Sequence, residues 1–426
     1  MTLSTDLFVT PEDVRTKDYL LATYYLELDA ESDVLAKTTA FAVGQTVGTW
    51  IDVPGLTPEL RARHEGRVVR VLEAPPVDVR SQAEGEVHGF FVQLALPTVN
   101  FGAQFPMMLT TLLGNDASTS VQAKLVDLEL PDSFAAELGG PRHGIAGVRD
   151  LVGVHDRPLT LNMIKPCTGL APADAAKIFY ETALGGVDLI KDDELLGNTA
   201  FSPVEERVRE FGKAARAVLE ETGKDVVYLP NVTDSPDRVV DTARRAVDAG
   251  ARAVMVTYAT VGYGMVKAVA DAVDVPVLGH FAGSGMFFEG SHSGMSSPLA
   301  AGLLPRLAGA DMVLTTTPYG GYPMRRLQYL RTIHQLTLPR PHVAPSLPVI
   351  GGGVHPGIVG RYVREAGTDI VLGAGGAIQG HPQGAAAGAR ALQRAVEAAV
   401  AGQPVEEAAE DSPELAAALE LWGVHA

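Results

Sequence analysis

From residue 159 onward the chain repeats one pattern: a short apolar run, a polar or glycine-rich turn, then a stretch with helical amphipathic spacing. The runs are Leu159–Lys165, Val187–Lys191, Val226–Asn231, Ala253–Thr257, Pro276–His280, Asp311–Thr315, Leu347–Gly351 and Asp369–Gly373. Each is short and rich in Val, Leu and Ile, as expected of parallel strands buried on both faces. Helical spacing marks Ala173–Leu184, Val204–Glu221, Pro236–Ala249, Pro298–Ala308, Gly357–Glu365 and Gln383–Val400. Pro203, Pro236, Pro298 and Pro356 stand where a first helical turn tolerates proline. The helices after the fourth and sixth strands are poorly marked. Consecutive strand–helix units over roughly 250 residues predict a closed (β/α)8 barrel. An open doubly wound sheet is the alternative, and it rarely uses so many consecutive parallel strands.

Residues 1–140 follow a different rhythm. Tyr19–Leu28, Gly66–Leu72, Glu86–Leu96 and Ala123–Leu130 read as strands, with helical segments near Val34–Val43, Pro58–His64 and Met107–Leu113. The chain therefore reads as α/β: a smaller N-terminal α+β domain over 1–140, then a TIM barrel over 141–426. Gly139–Gly144 (GGPRHG) is the junction, and the acidic, alanine-rich tail after Gly402 is helical.

Composition narrows the class. The 426 residues are 46% hydrophobic and 20% charged, an ordinary globular balance, and suffice for a sizeable core. A net charge of −17 argues against nucleic acid or an anionic membrane surface as partner. Cys167 is the only cysteine, which excludes an intrachain disulfide and fits a reducing cytoplasm. No signal-like pattern opens the chain and no apolar run is long enough to span a bilayer. The expectation is a cytoplasmic enzyme acting on a small molecule.

In such barrels the chemistry sits at the carboxyl ends of the strands. Applied here, that rule collects Lys165, Lys191-Asp192-Asp193-Glu194, Asn231, His280, Thr315–Thr317, Gly351–Gly353 and Gly373–Gly376. Asp193 and Glu194 are hard oxygen donors suited to Mg²⁺. Acids decorating a helix start are the plainer reading of this cluster alone. The lysine directly before it tips the balance, because a desolvated amine can take up CO₂ as a carbamate and so become a third oxygen ligand. The glycine clusters after the seventh and eighth strands can cradle a phosphate on backbone N–H groups, or simply make tight turns. Lys165 is an acid or base if its pKa is lowered, or else an ion-pair partner for the acids. His280 is either a substrate contact or structural. Cys167 reads as a small packing residue with no evident base partner. Together these parts fit one reaction: Mg²⁺ polarises a ketone oxygen, a base removes the α-proton, the metal holds the enediolate and the glycine loops anchor a phosphate.

IKPCTGL (Ile164–Leu170), GGVDLIKDDE (Gly185–Glu194), GGGVHPG (Gly351–Gly357) and AGGAIQGHP (Ala374–Pro382) resemble the barrel motifs of RuBisCO large subunits and RuBisCO-like proteins. TVGTW (Thr46–Trp50), LLGND (Leu112–Asp116) and GPRHGI (Gly140–Ile145) extend the resemblance over nearly the whole chain. The resemblance implies a carbamylated Lys191 binding Mg²⁺ with Asp193 and Glu194, and Lys165 as the active-site lysine. It implies that Gly351, Gly352, Gly375 and Gly376 face a substrate phosphate. It also implies a homodimer or an assembly of dimers with shared sites, in which Thr49, Trp50 and Asn115 act across subunits.

The departures from RuBisCO bear on function. Cys167 replaces the second lysine of the first-strand motif, Gly44 a glutamate, and Phe281 the arginine after His280. Thr315–Pro323 lacks the lysine of RuBisCO's mobile sixth loop. Without that lysine the charge that develops where CO₂ adds is unsupported, and without the arginine a bidentate phosphate clamp is gone. Enolisation survives these losses; CO₂ fixation does not. The expected function is therefore Mg²⁺-dependent enolisation of a phosphorylated keto-sugar or diketone, with an enolase, isomerase/epimerase or decarboxylase outcome. TVGTW preceded by glycine, Gly66–Glu73, the segment at His280 and the PYG of the sixth loop resemble the 2,3-diketo-5-methylthiopentyl-1-phosphate enolases of methionine salvage. Asn115 departs from them, standing where those enolases look to use a lysine. A non-catalytic sugar-phosphate-binding protein is the alternative from another class.

Overall fold

The computed structural model describes residues 7–15, 17–49, 51, 53–77 and 87–425. By its contacts the chain forms two units, Met1–Gly139 with Ser284–Ala300, and Gly140–Gly283 with Ala301–Ala426. Among the described residues no helix is long and apolar enough to cross a membrane.

The first unit is built on an antiparallel sheet of β1 (Tyr19–Asp29), β2 (Arg67–Ala74), β3 (Val87–Pro97) and β4 (Lys124–Glu129), in the order β2-β3-β1-β4. The helix Val34–Gly44 starts at Asp33, whose carboxylate accepts from the Ala36 N–H, and presents Phe41 edge-on to Tyr24 at 4.9 Å. Ser284–Ala300, which sequence reading leaves inside the barrel, belongs to this unit. Its backbone bonds β4 through Leu125 N to Gly294 O (2.9 Å) and Ser296 N to Leu125 O (2.8 Å), and the Lys124 amine donates to Phe288 O at 2.7 Å. Such pairing between distant segments leaves no local periodicity to read.

The second unit is the barrel. Its strands are β5 (Leu159–Met163), β6 (Leu189–Lys191), β7 (Val227–Leu229), β8 (Val254–Thr257), β9 (Val277–His280), β10 (Met312–Thr316), β11 (Leu347–Gly351) and β12 (Val371–Ala374). All pair in parallel, and the sheet runs β7-β6-β5-β12-β11-β10-β9-β8. The two ends meet at a parallel bridge between Asn231 and Met255, where Met255 N donates to Pro230 O (2.9 Å) and Val232 N to Met255 O (2.8 Å). Closure decides for the barrel over the open sheet. Leu161, Leu189, Leu229, Met255, Leu278, Leu314, Val349 and Val371 fill the interior. Their alternates, such as Ile190, Val256, Val313 and Ile350, are buried as well. Burial of both faces is why the runs are continuously apolar.

Six of the eight barrel strands start one or two residues later than the apolar pattern suggests; at β10 and β12 the reason is that a polar residue before the strand does other work. Asp311 accepts from His143 N and Gly144 N (2.7 Å each) and Val277 N (2.9 Å), and Asp369 pairs with Arg149 at 2.8 Å. The helices that the sequence marks poorly are Tyr258–Val261 with Tyr263–Ala272, split at Gly262 (φ +85°), and Arg326–Thr337. The first begins directly at a strand end, and the second follows the long sixth loop. The tail forms helices Val405–Glu410 and Pro413–Trp422, which pack on the helix Ala385–Val400.

Arg306 staples this outer layer. Fully buried, it donates to Ala344 O, Gln335 O, Leu338 O and Val343 O at 2.8–2.9 Å. Arg306→Met removes the donors while keeping the stem, so stability should fall by about 3 kcal/mol, measured by urea denaturation; an unchanged midpoint would contradict this role.

Candidate active site

The motif after β6 divides its labour. Asp192 is buried and turns away from the barrel mouth. It accepts from Tyr228 Oη (2.6 Å), Asn231 N (2.8 Å) and Arg207 Nη2 (3.1 Å), and Arg207 itself is fully buried and donates to Gly197 O at 3.0 Å. Asp192 is thus the anchor of the turn. Its neighbours Asp193 and Glu194 line a cavity of about 190 Å³ at the strand ends.

Lys165, just beyond β5, reaches that cavity. Its amine donates to Asp193 Oδ2 at 2.6 Å and lies 2.9 Å from Cys167 Sγ. Burial pushes its pKa down, but the hydrogen bond and charge of Asp193 outweigh burial and hold it above the ordinary lysine value. Of the two readings the sequence leaves open for Lys165, the structure shows the ion pair with the acids, which keeps the amine charged. Cys167 likewise has a polar partner that sequence reading did not find. Burial works to raise the Asp193 pKa, and the Lys165 contact overrides it and lowers the value. Lys165 is positioned through its backbone N–H, which donates to Gln379 Oε1 at 3.1 Å. Gln379 in turn donates to Asn162 Oδ1 (3.0 Å) and Thr182 Oγ1 (3.1 Å).

Lys191 ends β6 and is fully buried, with its amine 2.9 Å from Asp192 O and 3.9 Å from Glu194 Oε2. Burial brings its pKa down to about 8, against the pull of Glu194 and Asp193. His280 ends β9 and is also buried. Its Nδ1 accepts from Ala282 N at 3.1 Å, which leaves the proton on Nε2, 3.4 Å from Glu194 Oε2. Burial, then the Lys191 charge, hold its pKa well below the usual histidine value, so the ring is neutral.

Two glycine-rich loops complete the cavity. Gly352 (φ +87°) and Gly353 (φ +105°) line it, as do Gly375 and Gly376. Gly351 is not among its lining residues: it lies within β11, where a side chain would meet Met163 and Leu314, while Gly353 lines the cavity beside Gly352. A Cβ on Gly352 would sit 2.5 Å from the Tyr322 ring, and one on Gly353 2.5 Å from Gly320 Cα, so the sixth and seventh loops touch through glycine. At Gly376 a Cβ would meet nothing within 4 Å. That residue opens the short turn Gly376–Gln379, whose first N–H groups have no partner within the turn. Phe281, Tyr322, Met163 and Leu314 form the remaining wall. Sequence reading noted Phe281 only as a missing arginine and passed over Tyr322 and Gln379. The signal that pointed to Phe281 was the family resemblance, in which an arginine follows the histidine.

The remaining expected residues lie in the first unit. Thr49 lines a separate depression with Val47, His64 and Asn100, while Asn115 is exposed after the helix Phe105–Leu113. Trp50 lies outside the described residues. Gln45 Nε2 and Tyr24 Oη hold that helix by donating to Thr111 O (2.6 Å) and Leu112 O (2.9 Å). A Cβ on Gly44 would fall 1.6 Å from the Asp116 carboxylate, so Asp116 fills the space a larger residue at 44 would need. Among the described residues no three His, Cys, Asp or Glu side chains converge as a metal site. Asp193 and Glu194 place two carboxylates at the cavity, and the Lys191 amine lies 3.9 Å from Glu194 Oε2.

Residues 144–328 and 337–422 match the family described as ribulose bisphosphate carboxylase large chain, catalytic domain. The chain belongs to the RuBisCO large-chain family. Within that family it is 40% identical over 374 residues to a ribulose bisphosphate carboxylase-like protein of Archaeoglobus fulgidus, covering 87% of this chain and 85% of that one. It is 38% identical to the 2,3-diketo-5-methylthiopentyl-1-phosphate enolase of Geobacillus kaustophilus, covering 95% and 98%. Among solved structures, a rubisco-like protein from Alicyclobacillus acidocaldarius superposes with a TM-score of 0.87 at 36% identity, covering 95% and 100%. A dimeric archaeal Rubisco from Hyperthermus butylicus gives 0.88 at 28% identity, covering both chains fully.

In this RuBisCO-family chain the adjacent aspartates should behave oppositely. Asp192→Ala leaves Arg207 buried and unpaired, so it should cost about 3–5 kcal/mol in urea denaturation. Asp193→Ala should cost no more than about 1 kcal/mol, since the Lys165 side chain is 39% exposed and water can take over its charge. Equal losses would refute the division of labour.

Proposed function

We propose that this barrel enolises a phosphorylated keto-sugar or diketone without fixing CO₂. The observation that carries the reading is the meeting of Lys165, Asp193, Glu194 and His280 with two glycine loops in one cavity. The donor set fits the implied metal: two carboxylate side chains line the cavity and the Lys191 amine lies 3.9 Å from one of them, and a carbamate formed there with CO₂ would supply a third oxygen. Mg²⁺ held by Lys191 in that form, Asp193 and Glu194 would polarise the substrate carbonyl.

The chain's own residues do the rest. His280, neutral, directs its Nε2 proton at Glu194 and fixes that carboxylate's orientation. Lys165 moves a proton at the carbonyl end of the cavity; paired with Asp193 it holds that proton, and it becomes a base only when Asp193 takes another partner. Backbone N–H groups of Gly352, Gly353, Gly375 and Gly376 receive the phosphate. Lys165 is the only lysine or arginine among the residues lining the cavity. The sixth loop adds no lysine and Phe281 stands in the arginine position, which argues against a bisphosphate and against support for a carboxylated intermediate.

The enolase relatives favour one outcome, the methionine-salvage diketone reaction, since they cover nearly the whole chain. Asn115 supplies no base there, so isomerisation, epimerisation and decarboxylation stand beside it. The dimeric archaeal relative supports a homodimer or an assembly of dimers; by the family resemblance, Thr49, Trp50 and Asn115 of one subunit would complete the site of the other.

Proton–deuterium exchange followed by NMR, in D₂O with Mg²⁺ and bicarbonate, tests this. The panel holds the diketo-methylthiopentyl phosphate, methylthioribulose phosphate, pentulose phosphates, 3-oxo-isoapionate phosphate and ribulose bisphosphate. Exchange or conversion is expected on one monophosphate, and none with CO₂ incorporation on the bisphosphate; silence across the panel from folded, Mg²⁺-binding protein would overturn the reading. Lys191→Ala should abolish Mg²⁺-dependent turnover with the fold intact by circular dichroism, and full retained activity would remove the carbamate. Lys165→Met should stop exchange at the substrate α-carbon; exchange at the wild-type rate would place the base elsewhere.

A further inference from the structure

A second cavity lies in the helical layer of the barrel unit, between the helix Val359–Ala366, the helix Ala385–Val400 and the tail. It measures about 350 Å³ and shares no lining residue with the cavity at the strand ends. Sites for small molecules usually measure roughly 300–1,000 Å³. Small apolar residues line it, among them Ala395, Ala399 and Val424, together with the guanidiniums of Arg361 and Arg364 and the ring of His425. Among the described residues that line it, Glu406 is the only carboxylate. Cations therefore prevail there, although the chain as a whole carries a net charge of −17.

Arg361 and Arg364 are three residues apart on one helix, so their charges share a face and repel; an anion between them relieves that repulsion. A Cβ on Gly360 would lie 3.3 Å from Arg364 Nη1, so this guanidinium lies back against the helix at the cavity. No carboxylate among the described residues pairs with Arg364. Arg361 is only partly compensated. Its Nε is 3.6 Å from Glu365 Oε1, an oxygen that already accepts from Tyr319 Oη at 2.6 Å and Arg326 Nε at 2.9 Å. The tail is fastened beside them, where His425 N donates to Gly357 O at 2.9 Å and the His425 ring meets His355 at 5.1 Å.

We infer that this cavity is a second ligand site, for a small organic anion: a phosphate or carboxylate joined to an apolar body. Guanidiniums bind either anion through paired hydrogen bonds, and the alanine and valine surface takes the body. The Arg361 guanidinium also covers the ring of Tyr319, in the sixth loop, at 4.0 Å. An anion that draws Arg361 toward itself competes with that contact and so reaches the loop that carries Tyr322 to the strand-end cavity. The site itself stands without the enolising reading; only its bearing on catalysis rests on that reading.

Calorimetry on the intact protein with phenyl phosphate, benzoate and inorganic phosphate tests the site. Phenyl phosphate or benzoate should bind at least about tenfold more tightly than inorganic phosphate, and the order of the two names the anion. Arg364→Ala and Ala399→Leu should each weaken that binding about tenfold or more, the first by removing a charged donor and the second by filling the space, while Lys165→Met leaves it unchanged. Arg364 is exposed, so its variant reports on binding even where Ala399→Leu does not fold. No binding by either aromatic anion, or binding lost only in Lys165→Met, would overturn the site. In protein labelled with 3-fluorotyrosine, the ¹⁹F signal removed by Tyr319→Phe should shift as the site fills. Binding that leaves this signal in place would overturn the competition for Arg361 and keep the site. If binding holds while no substrate exchanges a proton, the enolising reading fails alone.

Discussion

Three donors from two segments converge on the carboxylate of Asp192: the Tyr228 hydroxyl, the Arg207 guanidinium and the backbone N–H of Asn231. All are buried, so the charges compensate one another without water. Tyr228 lies in β7 and Asn231 just beyond it, while Arg207 lies on the helix Val204–Thr222 that joins β6 to β7. The network therefore pins the end of β6 at the place where its chain turns into the active-site loop. Lys191 before it and Asp193 and Glu194 after it owe their positions to this anchor. It is also close to the closure of the barrel, since Asn231 forms the bridge to Met255 that joins the ends of the sheet.

With that turn fixed, the remaining groups balance each other's charge. Lys165 neutralises Asp193, and His280, neutral itself, offers its proton to Glu194. Lys191 has the Asp192 carbonyl at 2.9 Å and Glu194 only at 3.9 Å. A buried amine with so loose a carboxylate contact is poorly compensated, which is why its pKa falls while that of Lys165, in a tight ion pair, rises. Two lysines in one site are thus driven in opposite directions by contact distance and burial.

The loops set shape as much as the side chains set charge. Gly352 and Gly353 adopt positive φ and allow Gly320 and Tyr322 to close against them. The resulting cavity is lined by the charged and polar Lys165, Asp193, Glu194 and His280 together with Met163, Phe281, Leu314 and Tyr322. Phe281 follows His280, and the sixth loop, Thr315–Pro323, carries no lysine.

The sequence by itself determined the (β/α)8 barrel, because strands buried on both faces must be apolar throughout, and that signal is local. It also placed Lys165, Lys191, Asp193, Glu194 and His280 at strand ends, since polar residues that end an apolar run are conspicuous. Only the tertiary structure decided which aspartate is anchor and which faces the cavity, because Asp192 and Asp193 differ in their distant partners and not in their neighbours in sequence. The same holds for the raised pKa of Lys165, the exchange of Gly351 for Gly353 at the cavity, and the attachment of Ser284–Ala300 to β4. Each depends on contacts between segments far apart in the chain, and hydrophobic periodicity carries no record of those.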